Sequence, residues 1–470
     1  MSKRSTIQEL IDHLRMEIDQ LAPGDRLSSS RELIDRYGIS PATVSRAIAR
    51  LAAEGAVVTR PGSGTFVAPR RTAPHDGVAD TSWQSVTLAG RDTGPVPAGR
   101  LLDEPHRDAI TMAGGYLHRS LRPDSALVAA MRRAAGRPDA WDRAPTAGLA
   151  SLRAVFARLA GGAVTPEDVL VTSGGQSALS IVFRAIIPPG SPVLMESPTY
   201  PGALAAARAA GLRPVPVPMD ADGVRLELLA EAFARTGARL LYCQPALHNP
   251  TGAVLAADRR RQLIDVARAV DAFVVEDDFA RLLGHGGTPP PALVADDHEG
   301  TVIYLTSLTK PAAPSLRIGA LIARGPVMAR LRAIRHVDDF FVARPLQEAA
   351  VELLSTPAWE RHQSSLANAL RERCATLAAE LTRRLPDWST RLPNAGLHLW
   401  VSLPAALGNP SELADAARTR GVVVSSGDDF YPAEPQGPYL RLSFAAAELT
   451  DLAEGVRRLS AAAHDLAHRG

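Results

Sequence analysis

The sequence predicts two domains of different fold class, a small helical domain with a β-hairpin and a larger α/β domain behind it. Three observations lead to this prediction. The chain has 470 residues, well above the roughly 150 residues of an average domain. Apolar residues recur with helical spacing near the N-terminus. From about residue 105 onward, short β-prone runs alternate with helical segments, which is typical of an α/β sheet.

The composition is that of an ordinary folded protein. Hydrophobic residues make up 46% of the chain and charged residues 22%. No apolar run approaches the ~20 residues that span a bilayer, and the N-terminus lacks the apolar stretch of a signal peptide. We therefore expect a cytoplasmic location. Two cysteines, Cys243 and Cys374, are too few for a disulfide framework or a zinc site, so no metal is expected.

Positive charge is concentrated near the N-terminus. The net charge of the whole chain is only +2. Between residues 36 and 71, however, six arginines are opposed by a single acid, Glu54, which leaves a local charge of +5. Because such a cluster attracts phosphate groups, this part of the chain is a candidate nucleic-acid surface.

Periodicity and capping signals predict three helices in this part of the chain. The first covers residues 7–18 and stops at the turn 22–25, and the second runs from the serines at 28–30 to Tyr37, with Gly38 after it. The third begins at Ser40, a good N-cap, and continues to Gly55. Two β-prone runs, 56–59 and 65–67, then form a hairpin around residues 60–64. Three helices and a hairpin make a winged helix-turn-helix.

The third helix has one apolar face and one polar face. Its apolar stripe faces the other helices and consists of Val44, Ala47, Ile48 and Leu51. The opposite face carries Thr43, Ser45, Arg46 and Arg50. A helix of this kind fits the major groove of DNA, with its N-terminal polar residues near the base edges. The alternative is a small helical domain with an ordinary solvated face, which the charge cluster and the hairpin disfavour.

The run PGDRLSSSRELIDRYGISPATVSRAIARLAAEGAVVTRPGSGTFV closely resembles the DNA-binding domain of GntR-type bacterial regulators, over about sixty residues. The resemblance implies a DNA-binding domain at residues 1–69 and double-stranded operator DNA as its partner. The residues that this resemblance brings to DNA are Arg31, Ser40, Thr43, Arg46, Gly62 and Gly64. Residues 70–105 are rich in proline and glycine and are interpreted as a linker, of which Trp83 and Val86 could dock on the next domain.

Six candidate strands in the remaining part, residues 106–470, predict an open α/β sheet. They are 169–172, 193–195, 240–242, 273–275, 302–305 and 318–322. In such sheets ligands bind at the carboxyl ends of the strands. Chemically useful residues follow five of these strands, in the runs TSGGQS, ESPTY, HNPTG, EDDF and SLTK. Arg317 comes seven residues after the lysine of the last run.

Lysine is rare in this chain. Of its 52 basic residues only Lys3 and Lys310 are lysines, so a lysine at a strand end suggests that a primary amine is needed there. Pyridoxal 5'-phosphate requires a lysine, a carboxylate for its pyridine nitrogen and anion donors for its phosphate. Taken singly, a glycine turn, a strand-end aspartate or a tyrosine is more often structural, and the alternative for Lys310 is a solvated surface lysine. Their joint order on successive strands favours the cofactor.

The assembly resembles the fold-type I aminotransferases over roughly residues 110–465. The resemblance implies that Lys310 forms an aldimine with the cofactor and that Asp277 pairs with the pyridine nitrogen. It also implies that Asn249 bonds the ring hydroxyl and that Tyr200 stacks on the ring. The phosphate would be held by Gly174, Gly175, Gln176, Ser307 and Arg317.

A late predicted strand, YLRLSF, carries Arg441. By the same resemblance this arginine clamps the carboxylate of an amino compound, and the alternative is a surface ion pair.

One residue departs from the pattern. Related families place a tyrosine shortly after the aspartate, where this chain has Phe279. The loss of that ring-oxygen donor predicts weaker transamination, while Asn249 still supports cofactor binding.

The two halves together resemble the MocR group of GntR-family regulators. The resemblance implies a transcription regulator that carries pyridoxal phosphate and senses the cofactor, or an amino compound, through an aldimine at Lys310. It also implies a homodimer. The competing hypothesis is a catalytically active aminotransferase with a DNA-binding appendage. A third hypothesis, a fold used only to dimerise, is disfavoured because the set of cofactor residues is nearly complete.

Overall fold

The computed structural model describes residues 3–69, 80–88 and 108–468. The chain divides into two compact units, Met1–Asp92 and Thr93–Gly470. Within the described ranges, no helix has both the length and the apolar character to cross a membrane.

The N-terminal unit contains the three predicted helices and the hairpin. Its elements are α1 (Lys3–Gln20), α2 (Ser30–Tyr37), α3 (Pro41–Ala53), β1 (Val57–Arg60), β2 (Gly64–Val67) and α4 (Ser82–Leu88). The predicted stripe of α3 is buried in the core of this unit, whose members are Leu10, Ile11, Leu14, Leu27, Leu33, Val44, Ala47, Ile48, Leu51, Val57 and Val67. The spacing of apolar residues thus predicted the correct inner face.

Local hydrogen bonds explain where α2 and α3 begin and end. Ser29 and Glu32 form a reciprocal capping box at the start of α2, and Gly38 ends it in the left-handed region with φ 61°. The Ser40 side chain accepts a hydrogen bond from the Thr43 amide at the start of α3, as predicted. The hairpin pairs Arg60 with Gly64, so Arg60 belongs to the strand rather than to the turn.

The predicted linker, 70–105, lies mostly outside the described residues, since 70–79 and 89–107 are not described. Its described part contains α4, on which Trp83 and Val86 are exposed.

The C-terminal unit is a mixed α/β structure. Its helices are α5 (Asp124–Ala135), α6 (Ala150–Ala160), α7 (Gly175–Ile186), α8 (Pro201–Ala209), α9 (Leu226–Thr236), α10 (Ala257–Arg268), α11 (Leu293–Asp296), α12 (Pro326–Asp339), α13 (Arg344–Leu354), α14 (Pro357–Arg384), α15 (Pro410–Thr419) and α16 (Leu449–Ala467). Its strands are β3 (Ile110–Thr111), β4 (Val169–Thr172), β5 (Pro192–Ser197), β6 (Arg213–Asp220), β7 (Gly223–Val224), β8 (Leu240–Cys243), β9 (Phe273–Asp277), β10 (Val302–Ser307), β11 (Gly319–Ile322), β12 (Ser389–Thr390), β13 (His398–Ser402), β14 (Val422–Val423), β15 (Ser425–Ser426) and β16 (Tyr439–Ser443).

The large sheet has eight strands in the order β4-β11-β10-β9-β8-β5-β6-β7. All six predicted strands belong to it. Strands β5, β6, β8, β9 and β10 are parallel, and β11 is antiparallel to both of its neighbours. Because β11 reverses direction between β10 and β4, the carboxyl end of β4 lies at the same edge as those of the parallel strands.

Strand β6 was not predicted, because its sequence, RPVPVPMD, contains three prolines. These prolines, Pro214, Pro216 and Pro218, occupy alternate positions. Successive residues of a strand point their amide groups to opposite sides, so prolines at every second position can all lie on the side away from β5. Beyond β6 on that side, β7 pairs only with Met219 and Asp220.

A second sheet, in the order β12-β13-β16-β15, forms the smaller part of this unit. Only β16 was expected from the sequence. The apolar cluster of the second sheet includes Leu399 and Leu442 of the sheet itself and Leu370 and Leu377 of α14. The chain enters this region through β3, which pairs with β14.

Candidate functional site

The residues predicted at five strand ends lie along one edge of the large sheet. Strands β4, β5, β8, β9 and β10 all end there, and each is followed by one of the predicted residues. The small sheet contributes Arg441, whose Nη1 donates to Oδ1 of Asn249 at 3.1 Å. The site therefore lies where the two sheets of the C-terminal unit meet.

Lys310 follows β10 and is half-buried. Its Nζ lies 4.0 Å from the centre of the Tyr116 ring. Burial and, to a smaller extent, the charge of Arg441 lower the pKa of Lys310 to about 7, although Asp277 raises it. An amine with this pKa is partly neutral at neutral pH, as a nucleophile must be.

Asp277 ends β9 and is buried. Its Oδ2 accepts hydrogen bonds from the Tyr242 hydroxyl at 2.7 Å and from Nε2 of Gln244 at 3.0 Å. Its Oδ1 is buried and has no hydrogen-bond partner among the described residues. Burial raises the pKa of Asp277 to about 6, although the two hydrogen bonds lower it. A buried, unpaired carboxylate oxygen is costly unless a donor reaches it.

Gln244 links Asp277 to Asn249. While its Nε2 donates to Asp277, its Oε1 accepts from the Asn249 backbone amide at 3.0 Å. The Gln244 backbone amide in turn donates to Oε2 of Glu196 at 2.7 Å. One glutamine thus fixes the ends of three strands relative to one another.

Arg441 is buried on β16 and is bonded to two parts of the site. Besides Asn249, its guanidinium bonds the carbonyl of Ala113 through Nη2 at 2.6 Å. Its Nε is buried without a hydrogen-bond partner in the described part of the chain. Burial lowers the pKa of Arg441 to about 10, so it remains positive at neutral pH. The guanidinium also lies 4.9 Å above the centre of the Phe430 ring.

The predicted phosphate residues surround the N-terminus of α7. Gly174 precedes this helix with φ 93°, and α7 has no side-chain cap among the described residues. A Cβ on Gly174 would lie 2.8 Å from Nη2 of Arg317, so only glycine allows the guanidinium this close. Arg317 donates to the Ser173 carbonyl at 2.8 Å. Ser307 ends β10, and the position of a Cβ on Gly175 would be 4.0 Å from its side chain. Uncapped amides and a guanidinium together form an anion site.

Tyr200 and Gln176 contact each other. The Tyr200 hydroxyl donates to Oε1 of Gln176 at 3.3 Å, and Nε2 of Gln176 donates to the carbonyl of Gly202 at 2.8 Å. A Cβ on Gly202 would lie 2.3 Å from the Tyr200 ring, so the absence of a side chain there makes room for the ring. Burial raises the pKa of Tyr200 to about 12, and Asp277 adds to the effect.

A buried histidine and glutamate lie behind the site. Nε2 of His248 is 3.4 Å from Oε2 of Glu196. Burial lowers the pKa of His248 to about 3 and raises that of Glu196 to about 8. Both groups are therefore largely uncharged at neutral pH. The pair stabilises the loop that follows β8 and contains His248.

Phe279 is half-buried and packs against the apolar cluster of the small sheet. It lines a small cavity together with Asn249 and His398. Phe279 thus lies beside Asn249, but its ring carries no hydrogen-bond donor.

The arrangement fits pyridoxal phosphate. The unpaired Oδ1 of Asp277 suits the protonated pyridine nitrogen, the N-terminus of α7 with Arg317 suits the phosphate, and Lys310 supplies the amine. No sequence pattern pointed to Tyr116, Tyr242 or Gln244. Tyr242 lies inside an apolar strand and Tyr116 lies far from Lys310 in sequence, so only the fold brings them to the site.

The N-terminal unit presents its predicted residues on the exposed side of α2 and α3. Arg31 and Arg46 are exposed, and Nε of Arg46 donates to the Ala42 carbonyl at 3.2 Å. The hydroxyl groups of Ser40 and Thr43 are 2.8 Å apart at the start of α3. A polar, cationic helix end is thus open to a ligand.

The hairpin adds further cations. Gly62 and Gly64 have φ of 76° and 114°, which favour glycine. A Cβ on Gly64 would lie 2.8 Å from Nε of Arg26. The Arg60 guanidinium lies 4.9 Å above the centre of the Phe66 ring. Arg26 was not among the predicted DNA residues, since it precedes the charge cluster in sequence.

Two protein families match this chain. Residues 6–67 match the family described as bacterial regulatory proteins, gntR family. Residues 113–459 match the family described as aminotransferase class I and II.

Transcriptional regulators match nearly the whole chain. The chain is 30% identical to an uncharacterized HTH-type transcriptional regulator of Bacillus subtilis, YisV, over 95% of this chain and 93% of the relative. It is also 30% identical to the probable rhizopine catabolism regulatory protein MocR of Rhizobium meliloti, over 97% of this chain and 93% of the relative.

Among solved structures, LysN, the α-aminoadipate aminotransferase of Thermus thermophilus, resembles 83% of this chain and 100% of its own with a TM-score of 0.76 and 30% identity. That crystal structure contains N-(5'-phosphopyridoxyl)-L-leucine.

Proposed function

Because the chain belongs to the MocR-type regulators, in which a gntR-family domain precedes an aminotransferase class I and II domain, we propose that it regulates transcription and senses ligands through pyridoxal phosphate at Lys310. The observation that carries the proposal is the buried, unpaired Oδ1 of Asp277 close to a lysine of lowered pKa. A carboxylate of this kind calls for a cationic donor, and the pyridinium nitrogen is one.

The residues of the site have distinct roles in this proposal. When bound, pyridoxal phosphate supplies an aldehyde carbon that forms a double bond to the nitrogen of a primary amine. Lys310 holds the cofactor covalently, Asp277 accepts from its pyridine nitrogen, and Arg317 with the N-terminus of α7 binds its phosphate. The phosphopyridoxyl compound bound by the similar LysN supports this choice of cofactor.

The proposed effector is a primary amine that carries a carboxylate. Arg441 stays positive at neutral pH and can pair with that carboxylate through two N–H groups. In the structure the same guanidinium bonds the Ala113 carbonyl and Asn249. A carboxylate that binds the unpartnered Nε and a free Nη proton would pull on a guanidinium that is already bonded to these two groups, and we propose that this local change starts the response.

The output is operator binding by the N-terminal unit. Ser40, Thr43, Arg46 and the hairpin approach the DNA, and Arg31 contacts it from α2. A symmetric homodimer would bring two such units to two half-sites. Operator binding requires the protein to be in the cytoplasm with the chromosome.

The test is fluorescence anisotropy of a labelled DNA fragment from the region upstream of the gene. The protein is titrated without cofactor, with cofactor, and with cofactor plus a panel of amino acids, amines and vitamin B6 vitamers. We expect the cofactor or at least one amino compound to change the affinity for the fragment. The Lys310→Arg variant is the matched control, and it should bind DNA but not respond.

The second candidate is an active aminotransferase, which is favoured by the complete set of Lys310, Asp277 and Arg441. Phe279 argues against it, because no phenol stands there. The same titrations, with the keto product measured in parallel, decide between the two. Rapid multiple turnover with no compound affecting DNA binding would overturn the regulator in favour of the enzyme.

A further inference from the structure

We propose that Tyr116 holds the ammonium group of Lys310 after a ligand amine has taken the lysine's place on the cofactor, and thereby sets how tightly the protein binds its effector. The inference deepens the proposed function and rests on it, since it requires an amine ligand at this site. Tyr116 is a positioning residue in this proposal, because it acts on the ligand through Lys310.

The geometry shows where a free Lys310 lies. Its Nζ is 4.0 Å from the centre of the Tyr116 ring, well inside the ~6 Å within which an ammonium ion is attracted to an aromatic face. The position of a Cβ on Gly115 would be 3.3 Å from the same nitrogen, so the backbone before the tyrosine also lies close to the lysine.

The segment that carries Tyr116 is fixed at both of its ends. The Met112 amide donates to the Val423 carbonyl at 2.7 Å, and the Met112 carbonyl accepts from the Ser443 amide at 2.6 Å. On the other side of the tyrosine, the His118 amide donates to the Ala445 carbonyl at 2.7 Å. The main chain is therefore anchored on either side of the ring, so Tyr116 can act as a preformed place for the lysine.

The charges around Lys310 explain why its ammonium needs a binding place such as the Tyr116 ring. Arg441 and Arg317 both disfavour its charged form, and Asp277 favours it. His398 is buried nearby, and burial, with Arg441 and Lys310, lowers its pKa so that it is neutral. When Asp277 accepts from the cofactor, it is no longer fully available to Lys310. The ring face of Tyr116 then remains as an attraction for the ammonium that does not depend on Asp277.

The exchange of amines conserves atoms and charge. A ligand ammonium would give two protons to the lysine nitrogen, the carbon–nitrogen double bond to Lys310, protonated at nitrogen, would break, and the same protonated double bond would form to the ligand nitrogen. Lys310 leaves as an ammonium ion. Whatever stabilises that ion favours the ligand-bound protein, so the loss of the ring must weaken ligand binding.

Two substitutions separate the ring face from other roles of the side chain. Tyr116→Phe keeps the aromatic face and removes the hydroxyl. Tyr116→Leu keeps an apolar side chain and removes the face. Should the leucine variant fail to fold, as judged by circular dichroism, Tyr116→Met offers another side chain without a ring.

The first experiment needs neither cofactor nor effector. Because Lys3 and Lys310 are the only lysines, lysine labelled with ¹³C at Cε gives two NMR signals. In the cofactor-free full chain we expect Lys310 to titrate near pH 7 in the wild type and in Tyr116→Phe. In Tyr116→Leu its midpoint should fall by about one pH unit. Lys3 is the internal control. A leucine variant with the wild-type midpoint would overturn the proposal.

The second experiment uses the cofactor-loaded proteins and L-alanine as the probe amine. Binding is followed by the change in cofactor absorbance. The Kd for alanine should rise on the order of 10-fold in Tyr116→Leu and less than about twofold in Tyr116→Phe. Equal Kd values in all three proteins, or no binding to any of them, would overturn the role in effector affinity. Operator binding is a separate readout. A failure of the regulator hypothesis would appear there and leave the NMR result unaffected.

Discussion

At the scale of single residues, burial moves the pKa values of Lys310 and Asp277 toward each other. The pKa of Lys310 falls to about 7 and that of Asp277 rises to about 6. At neutral pH a substantial fraction of Lys310 is therefore neutral, while Asp277 is mostly ionised. An amine able to attack an aldehyde and a carboxylate able to accept from a pyridinium nitrogen are thus present at the same pH.

Replacement of Lys310 by arginine should abolish covalent cofactor binding, because a guanidinium cannot take the place of the primary amine. The measurement is the absorbance band of bound pyridoxal phosphate that borohydride reduces. Lys3→Arg is the matched control, and it should retain the band. A reducible band that persists in Lys310→Arg would assign the attachment to another group.

The rate of cofactor attachment should depend on pH with a midpoint near 7. Only the neutral amine reacts, so the rate rises as pH increases through the lowered pKa of Lys310 and then levels off. An ordinary lysine would show a rise that continues toward about pH 10.4. Stopped-flow absorbance between pH 5.5 and 9.5 checks this at about half-unit steps. A rate that is still climbing at the upper end would contradict the low pKa.

Phe279→Tyr should increase keto-product formation from amino acids, because it restores a phenol beside Asn249. Phe279 and Asn249 line the same small cavity. Product formation is measured in the cofactor-loaded variant and in the wild type, with Phe279→Leu as a control that adds no hydroxyl. An unchanged rate in the tyrosine variant would remove this residue as the reason for weak turnover.

At the scale of elements, α3 and the hairpin form the surface that we propose to bind DNA. The Ser40 cap leaves the first turn of α3 open, and Arg46 extends from its exposed face. Arg50 is also exposed, but its Nε is 3.3 Å from Oε1 of Glu54. Among the described residues, therefore, Arg50 has an acidic partner in its own domain, whereas Arg46 bonds a backbone carbonyl.

This difference predicts unequal effects on operator binding. If the Arg46 side chain reads a base edge, Arg46→Ala should cost on the order of 1–3 kcal/mol of operator-binding free energy. If it contacts a phosphate, the slope of log affinity against log salt concentration should fall by about one. Arg50→Ala should have a smaller effect on both quantities. Anisotropy titrations at several salt concentrations measure them. Wild-type affinity and salt slope in both Arg46→Ala and Arg31→Ala would exclude these residues from the interface.

At the scale of the whole molecule, a sensor must bind its ligand differently in two states of the protein. A coupling of about 1–3 kcal/mol would change operator affinity roughly 5–150-fold. Arg441 is placed to start such a change, since it bonds the Ala113 carbonyl on the segment that also carries Tyr116.

We expect Arg441→Gln to separate two kinds of response. The variant should lose the response of operator binding to amines that carry a carboxylate, because the charge that pairs with the carboxylate is gone. It should retain the response to pyridoxal phosphate itself, whose phosphate we propose to be held by Arg317 and the N-terminus of α7. Anisotropy with and without each compound measures both responses. An undiminished response to amino acids would exclude Arg441 as the clamp.

The sequence by itself determined the elements whose signals are local. Ser40 before Pro41, Gly38 in the left-handed region and the apolar stripe of α3 act through neighbouring residues, so α3 was predicted nearly to its ends. The six strands, and the polar residues that follow five of them, were likewise predicted from signals carried by neighbouring residues. Chain order and the rules of parallel sheets then bring Asp277 and Lys310 to one edge.

Only the tertiary structure decided what surrounds those residues. Tyr116 reaches Lys310 across 194 positions of the chain (310 − 116). Gln244 joins Asp277, Asn249 and Glu196 through bonds that no spacing encodes. Strand β6 forms despite its prolines because it pairs in parallel with β5. Burial, which shifts the pKa of Lys310 and of Asp277, likewise depends on packing by distant parts of the chain, and residue order alone does not specify it.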